Sequence, residues 1–345
     1  MMNSDYYINK FSIIEKIKNN EIKQKIFYDI KVKKLILNSL FLKNYSFSFI
    51  NNDLQNALLP KPIPNKMYSS SLSITKHPEY NDKYVINIRL VNYCLTINGN
   101  STLDGRIHTG FTLNLFLITD NNFNSIYDKI INPVIENKPY IGIEDIRLFT
   151  FKNNIYYIGS CYDNLTKTVK IVSDVLNLKD VSYNENFICP SFKTEFNWEK
   201  NWVFFETNSN LYIIYKWNPI YICEIDYNSK KLNLVKEIKT LDLFKDFRGS
   251  TNGVKYNNKI WFIIHSQYLL YNKKYYTHRF IVLNEDLTIY GYSDNFKFEN
   301  YIVEFCIGME ITNDNKFIIT YSTLDCTSKL AVFSSEYINS LIKNI

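Results

Sequence analysis

Five stretches of the chain share one pattern: a polar turn, a run of β-formers, and a polar or charged residue that closes the run. They are Asn81–Arg89, Asn153–Ser160, Asn208–Lys216, Asn257–His265 and Asn313–Ser322. With Tyr84, Ile155, Leu211, Ile260 and Phe317 taken as equivalent, successive repeats lie 71, 56, 49 and 57 residues apart. A sheet-forming unit that recurs roughly every 50 residues is the mark of a β-propeller, in which no blade can bury both faces alone. Equivalent positions of successive blades form a ring, so Arg89, Ser160, Lys216, His265 and Ser322 are expected to converge on the axis. Three of these can carry positive charge. Like charges crowded at a partly buried axis repel and are hard to desolvate, which calls for an anion between them.

A chain of 345 residues with 46% hydrophobic and 16% aromatic content can bury one large all-β domain and a small extra element. The expected division is an N-terminal helical extension with a proline-rich connector over residues 1–65, and a five-bladed propeller over 66–345. Ile13, Ile14, Ile17, Ile26, Ile30, Leu35 and Leu37 approximate a helical repeat. Leu59–Pro64 is a stiff connector, because each proline fixes its φ and bars helix at the residue before it. The helices are expected to cover the propeller or a second copy of the chain. The net charge of +6 is modest and the lysines are scattered, which argues against a nucleic-acid face. Six well-separated cysteines without a C-x-x-C pair read as free thiols in a reducing compartment, with no metal site. Without a leader-like segment or an apolar run of membrane-spanning length, the protein is expected in the cytoplasm.

Each later repeat is preceded by the segment expected to form the innermost strand of its blade: Gly142–Phe149, Trp198–Phe205, Phe247–Val254 and Glu304–Ile311. Glu144, Asp145, Arg147, Glu199, Lys200, Asn201, Arg248, Ser250, Asn252 and Glu304 make this lining too polar for a sealed channel. A pocket or a ring of mutually satisfied salt bridges would explain it. Tyr93, Trp202, Trp217, Tyr268 and Tyr275 are candidates for stacking on sugar rings or for core packing. No G-x-S-x-G, Walker loop, G-x-G-x-x-G or H-E-x-x-H occurs.

The run GIEDIRLFTFKNNIYYIGSCYD resembles the G-x-E-D-P-R segment and following hairpin of glycoside hydrolase family 130, the five-bladed β-mannoside phosphorylases and mannosidases. NWVFFETNSNLYIIYKW, NGVKYNNKIWFIIHS and EFCIGMEITNDNKFIITYSTLD are similar, in order, to the later blades of that family, with Asp325 in the place of its closing aspartate. Ile146 stands where the family has proline, and Asn92–Phe111 is unlike its usual first blade. The resemblance implies an inverting glycosyl transfer on a mannose-like β-glycoside. Asp145 would be the general acid, its pKa raised by burial and by Glu144. Arg89, Arg147, Lys216, His265 and Arg279, or His278 in place of Arg279, would hold phosphate or the diphosphate of a sugar nucleotide. Asn92, Tyr93, Lys200, Asn201, Arg248, Asn252, Glu304 and Asp325 would line the sugar site. The partners are then a carbohydrate and an anionic co-substrate, with no resident cofactor. A hydrolase of the same fold would need a second carboxylate, for which Glu304 and Glu199 are candidates. A non-catalytic propeller that binds glycan or protein is the other alternative.

Overall fold

The computed structural model describes residues 68–96, 110–131, 140–194, 198–270, 273–299 and 301–345. The expected N-terminal helices and connector lie outside the described residues.

The polar turns of the sequence pattern close antiparallel hairpins. Asn208 and Ser209 both take positive φ (48° and 60°), as do Asn257 and Asn258 (49° and 53°). Two consecutive left-handed residues make a type I′ turn, whose twist matches that of the strands it joins. Residues between the turns extend because Ile, Val, Tyr and Phe pack well on a pleated surface.

The strands form five antiparallel meanders in chain order. The first comprises β1 (Tyr68–Lys76), β2 (Lys83–Val91), β3 (Gly110–Asp120) and β4 (Ser125–Ile131), with a two-residue β5 (Tyr140–Ile141) beside β3. The second is β6 (Glu144–Phe151), β7 (Asn154–Asp163), β8 (Thr168–Leu176) and β9 (Phe187–Pro190). The third, β10 (Val203–Thr207), β11 (Asn210–Trp217), β12 (Ile220–Asp226) and β13 (Lys231–Ile238), joins the second through a short parallel β13–β9 pairing. The fourth has β14 (Phe247–Gly249) and β15 (Val254–Tyr256) side by side on β16 (Lys259–Leu270), followed by β17 (Lys273–Asn284) and β18 (Ile289–Tyr292). The fifth is β19 (Glu304–Ile311), β20 (Phe317–Thr323) and β21 (Thr327–Phe333). After helix α1 (Ser335–Ser340), β22 (Lys343–Asn344) returns to pair with β18.

Five apolar cores separate these sheets. Ile143, Ile146 and Leu148 of the second meander pack with Val85 and Phe116 of the first. Trp202, Phe204 and Ile213 cover Ile158 and Ile171, and Ile260, Phe262 and Ile264 cover Val203, Phe205 and Ile214. Met309, Phe317 and Ile319 cover Trp261, Ile263 and Phe280. The fifth core closes the cycle: Ile318 and Leu330 of the last meander join Leu72, Ile86 and Leu113 of the first. Hydrogen bonds seal that seam, with Ser328 N–H donating to Ser69 Oγ (3.2 Å) and Leu95 N–H to the Leu324 carbonyl (2.8 Å). The chain therefore has a propeller fold. The inner strands β1, β6, β10, β14 and β19 all begin at the same end, where the polar residues gather.

Gly142, just before β6, has φ of +90°, and a Cβ there would collide with the Thr112 carbonyl oxygen. Only a residue without a Cβ allows the entry to β6 to pass this close to β3. Gly142→Ala should destabilise the fold by about 2 kcal/mol or more, since a strained φ alone costs about 1–2. A thermal or urea melt matching that of the parent would contradict this.

Candidate functional site

Adjacent residues of a strand normally face opposite ways, so Glu144 and Asp145 should not both reach the axis. The register of β6 against β7 shifts between Glu144 and Arg147, and Asp145 sits at φ 53°. This bulge turns both carboxylates to the same side. Arg147 holds it in place, donating from Nη1 to the Asp145 carbonyl (3.1 Å).

Arg89, closing β2, is the centre of the cluster. Its Nη1 donates to Asp145 Oδ1 (3.0 Å) and its Nη2 to Glu144 Oε1 (2.8 Å) and to the Tyr93 hydroxyl (3.3 Å). Nε donates to Thr112 Oγ1 at 3.3 Å. Lys200 Nζ bonds the second Glu144 oxygen at 3.0 Å, and Ser71 Oγ donates to Asp145 Oδ1 at 2.6 Å. A third carboxyl, Asp325, lies in the β20–β21 turn and accepts from Ser70 Oγ at 3.3 Å. Leu324 and Asp325 both take φ of 52° there, and Cys326 N–H closes the turn on the Thr323 carbonyl.

The three carboxyls titrate in opposite directions. Burial favours the neutral form of Glu144 and Asp145, but Arg89 and Lys200, with Arg147 for Asp145, outweigh it and hold both below the usual carboxylate range. Asp325 is pushed up to about 6, by burial first; the positive charge of Arg89 opposes the rise, and the negative charges of Asp145 and Glu144 reinforce it. The expectation that Asp145 carries the raised pKa is thus reversed, because Arg89 is aimed at Asp145 and not at Asp325.

His265 is fully enclosed, with Nδ1 3.1 Å from Ser250 Oγ, its ring stacked on Tyr276 and edge-on to Phe305. Burial, then His278, Arg147 and Arg248, drive its pKa well below the ordinary histidine value. It is a neutral imidazole, contrary to its expected positive charge. Arg248, opposite it in register, is exposed. Arg147 spends its guanidinium on the Ser250 and Gly249 carbonyls and on Asn201 Oδ1 as well as on Asp145, beneath the surface of the site. Asn201 matches Asp145 in the next meander and shares its left-handed backbone, φ 65°.

Other expected site residues are placed elsewhere. A bulge between Ile214 and Lys216 turns the lysine ammonium over the Tyr221 ring, 4.0 Å from its centroid, away from the Arg89 cluster. Arg279 lies on the opposite face of β17 from His278, its guanidinium carbon 5.0 Å from the Phe247 ring and its Nε bonded to Asn295 (3.0 Å). His278 is sealed against Phe296 and Phe298. Asn252 straps two meanders together: Oδ1 accepts from Phe204 N–H (2.9 Å) and Nδ2 donates to the Leu148 carbonyl (2.8 Å). Asn92 accepts from Phe111 N–H at 2.9 Å. Glu304 accepts from the backbone N–H groups of Phe298, Glu299 and Tyr301, so it organises a loop. Glu199 is held by Trp202 and Tyr215. The carboxyls that accompany Asp145 are accordingly Glu144 and Asp325, not Glu304 or Glu199. Ser70, Ser71 and Thr112 were missed by the motif reading. The serine run of β1 was the available signal, since it forms the first inner strand. Trp202 and Trp217 are core residues, and Tyr268 and Tyr275 stack on each other across β16 and β17.

No family model and no curated protein matches the chain. Among solved structures it is similar to a β-1,2-mannobiose phosphorylase from Listeria innocua, at 12% identity and a TM-score of 0.52, over 82% of this chain and 95% of that one. It is also similar to a GDP-Man-dependent mannosyltransferase from Leishmania mexicana, at 12% identity and a TM-score of 0.50, over 86% and 98% of the two chains. The shared feature at this identity is the propeller fold. Among the described residues no helix is long and apolar enough to cross a membrane, and no His/Cys/Asp/Glu group has metal-binding geometry.

Two outcomes follow from the geometry. A carboxyl whose folded pKa is raised from 3.8 to about 6 favours the folded state at low pH, and that advantage is lost as pH climbs between those values, by roughly 3 kcal/mol at most. Glu144 and Asp145 act in the opposite sense, stabilising above the ordinary carboxylate range and losing that contribution on acidification. Asp325→Asn should therefore raise the melting temperature of the empty protein at pH 8 and leave it nearly unchanged at pH 4. Asn252→Ala, which orphans Phe204 N–H and the Leu148 carbonyl, should cost about 2 kcal/mol or more of stability without altering ligand affinity. Denaturant titration and calorimetric binding measure the two separately.

Proposed function

We propose that the protein is a five-bladed glycosyl-transferring enzyme, acting on a mannose-like β-glycoside with phosphate or a sugar nucleotide as co-substrate and no resident cofactor. The observation that carries this reading is the division of labour around Arg89: two carboxylates clamped in ionised form, and beside them one carboxyl whose pKa lies near neutrality. Pairs of acids driven apart in this way are how a site obtains both a proton donor and an ionised partner at one pH.

In this scheme Asp325 delivers its proton toward the glycosidic oxygen. Asp145, fixed by Arg89 and Ser71, accepts a hydrogen bond from a sugar hydroxyl. Arg248, which is exposed, and Lys200 supply charge to the incoming anion. The enclosed, neutral imidazole of His265 holds Ser250 without adding charge. Arg147 keeps Asp145 and Asn201 in their left-handed conformations, and acts as a positioning residue. The structures similar in fold include a phosphorylase and a sugar-nucleotide-dependent transferase, which agrees with an anionic co-substrate.

Hydrolysis is a second reading that one observation favours. Asp325 as acid and Asp145 as the base that activates water would meet the two-carboxylate requirement of an inverting glycosidase.

The test is an assay of the purified protein with β-mannosides, with and without inorganic phosphate, and with GDP-mannose plus mannose. Phosphate-dependent release of a sugar 1-phosphate, or consumption of the nucleotide sugar, is expected. Phosphate-independent cleavage would select the hydrolase, and inertness in every arm would sink both. Because Asp325 must be protonated to act, kcat/KM should fall as pH rises through about 6, tenfold per unit beyond it. A profile flat from pH 6 to 9, with an active Asp325→Asn variant, would return the acid role to Asp145.

A further inference from the structure

A histidine enclosed by protein ordinarily gives its ring nitrogens to partners, and His278 gives neither. It is 0% exposed, and both Nδ1 and Nε2 are without a hydrogen bond. Its ring centroid lies 5.8 Å from that of Phe296 and 5.0 Å from that of Phe298. Its partner in register on β16 is His265, also a neutral imidazole. Residues directly opposite on paired strands face the same side, so the two imidazoles are neighbours.

Phe296 and Phe298 belong to Ser293–Glu299, the segment that follows β18 and leads toward β19. It runs along β17 as a strap. Ser293 N–H donates to the Phe280 carbonyl (3.0 Å), and Phe280 N–H donates to Ser293 Oγ (2.9 Å). Phe296 N–H donates to the His278 carbonyl (2.8 Å), and His278 N–H to the Phe296 carbonyl (2.9 Å). At the far end the Glu304 carboxylate accepts from Phe298 and Glu299 N–H. A short segment tied by so few bonds can open without unfolding the sheet beneath it.

The groups around His278 give an imidazolium no welcome. Lys297 of the strap acts on the ring and opposes its protonation. From β16 the titratable neighbour is His265. Glu304 of β19 spends its carboxylate on strap backbone, and Glu299 spends its own on the Tyr321 hydroxyl and Lys329. Arg279, the next residue of β17, lies on the opposite face. We infer that Ser293–Glu299 is a pH-sensitive strap, closed over a neutral His278 and released in acid when that histidine takes up a proton.

Burial first, then Lys297, push the pKa of the enclosed His278 down to about 3 from an ordinary 6.5. A depressed histidine pKa leaves closure fully favoured above 6.5. That contribution is lost as pH falls from there toward 3, because the released strap binds one proton more. Glu304 acts in the opposite sense, since burial raises its pKa and so favours closure at low pH. Replacing His278 separates the two. Beyond Glu299 the chain also holds Tyr276, whose N–H donates to the Ile302 carbonyl (2.9 Å) and whose ring stacks on His265. Release therefore loosens one wall of the site, whichever reaction that site performs.

Hydrogen exchange read by mass spectrometry, with rates referred to an unprotected chain at each pH, follows the strap in the full-length protein. From pH 6.5 to 4.5 the protection of Ser293–Glu299 should fall about tenfold per unit in the wild type. In His278→Phe, which keeps a ring but cannot be protonated, protection should stay constant over that range. His278→Gln should show a weaker strap that is equally insensitive to pH, and it serves if the phenylalanine variant does not fold. Constant protection in the wild type overturns the inference, as does an equal fall in all three proteins, which would hand the response to another group. A fall shared by all five meanders overturns the strap as the responding unit.

Discussion

A sheet that is apolar on both faces cannot end in water, and every meander of this chain is such a sheet. Val203, Phe205 and Ile214 look one way from the third meander, while Phe204 and Ile213 look the other. Each sheet therefore needs a neighbour on both sides, and the cores run in cyclic order until Ile318 and Leu330 meet Leu72 and Ile86. Closure brings the first strands of all the meanders to one axis. In a propeller these strands surround a central channel, and that is where the polar side chains of this chain gather.

Charge at the axis is arranged so that almost none of it stands alone. Arg89 faces Glu144 and Asp145 at hydrogen-bond distance, and Lys200 takes the remaining Glu144 oxygen. Removing either partner would leave a buried charge uncompensated, which is far more damaging than the net gain from the pair. Asp325 enters a neighbourhood in which the cationic partner is already matched. Burial makes it retain its proton longer, the nearby negative charges add to this, and the result is a group whose pKa is pushed up to about 6.

Backbone strain is concentrated at the same place. Asp145, Asn201, Leu324 and Asp325 all adopt left-handed φ values, a region uncommon for non-glycine residues and unfavourable for leucine. Each is held by more than its own turn. The Asp145 carbonyl and the Asn201 side chain accept from Arg147. Leu324 N–H donates to the Val303 carbonyl, and its own carbonyl accepts from Leu95 N–H across the closing seam. The ring thus supplies the rigidity that keeps three acidic groups and one guanidinium in a single constellation.

The repeat of turn, β-run and polar terminus is written in the sequence, because strand propensity and Asn-rich turns are local properties. It sufficed to identify the all-β propeller fold, the inner-strand segments with their polar Glu144 and Asp145, and Arg89 at a strand end; Asp325 came only from the family resemblance. What alternation along a strand could not foretell was decided by tertiary structure. One bulge in β6 turned Asp145 to the same side as Glu144, and another in β11 sent Lys216 to Tyr221. The fate of Asn252, Glu304 and Arg279 was set by backbone groups and rings from other elements. The proton affinities belong to the same category. Asp145 lies on β6 and Asp325 in a turn; burial raises both, but Arg89, Arg147 and Lys200 together hold Asp145 ionised, while for Asp325 burial prevails over the pull of Arg89.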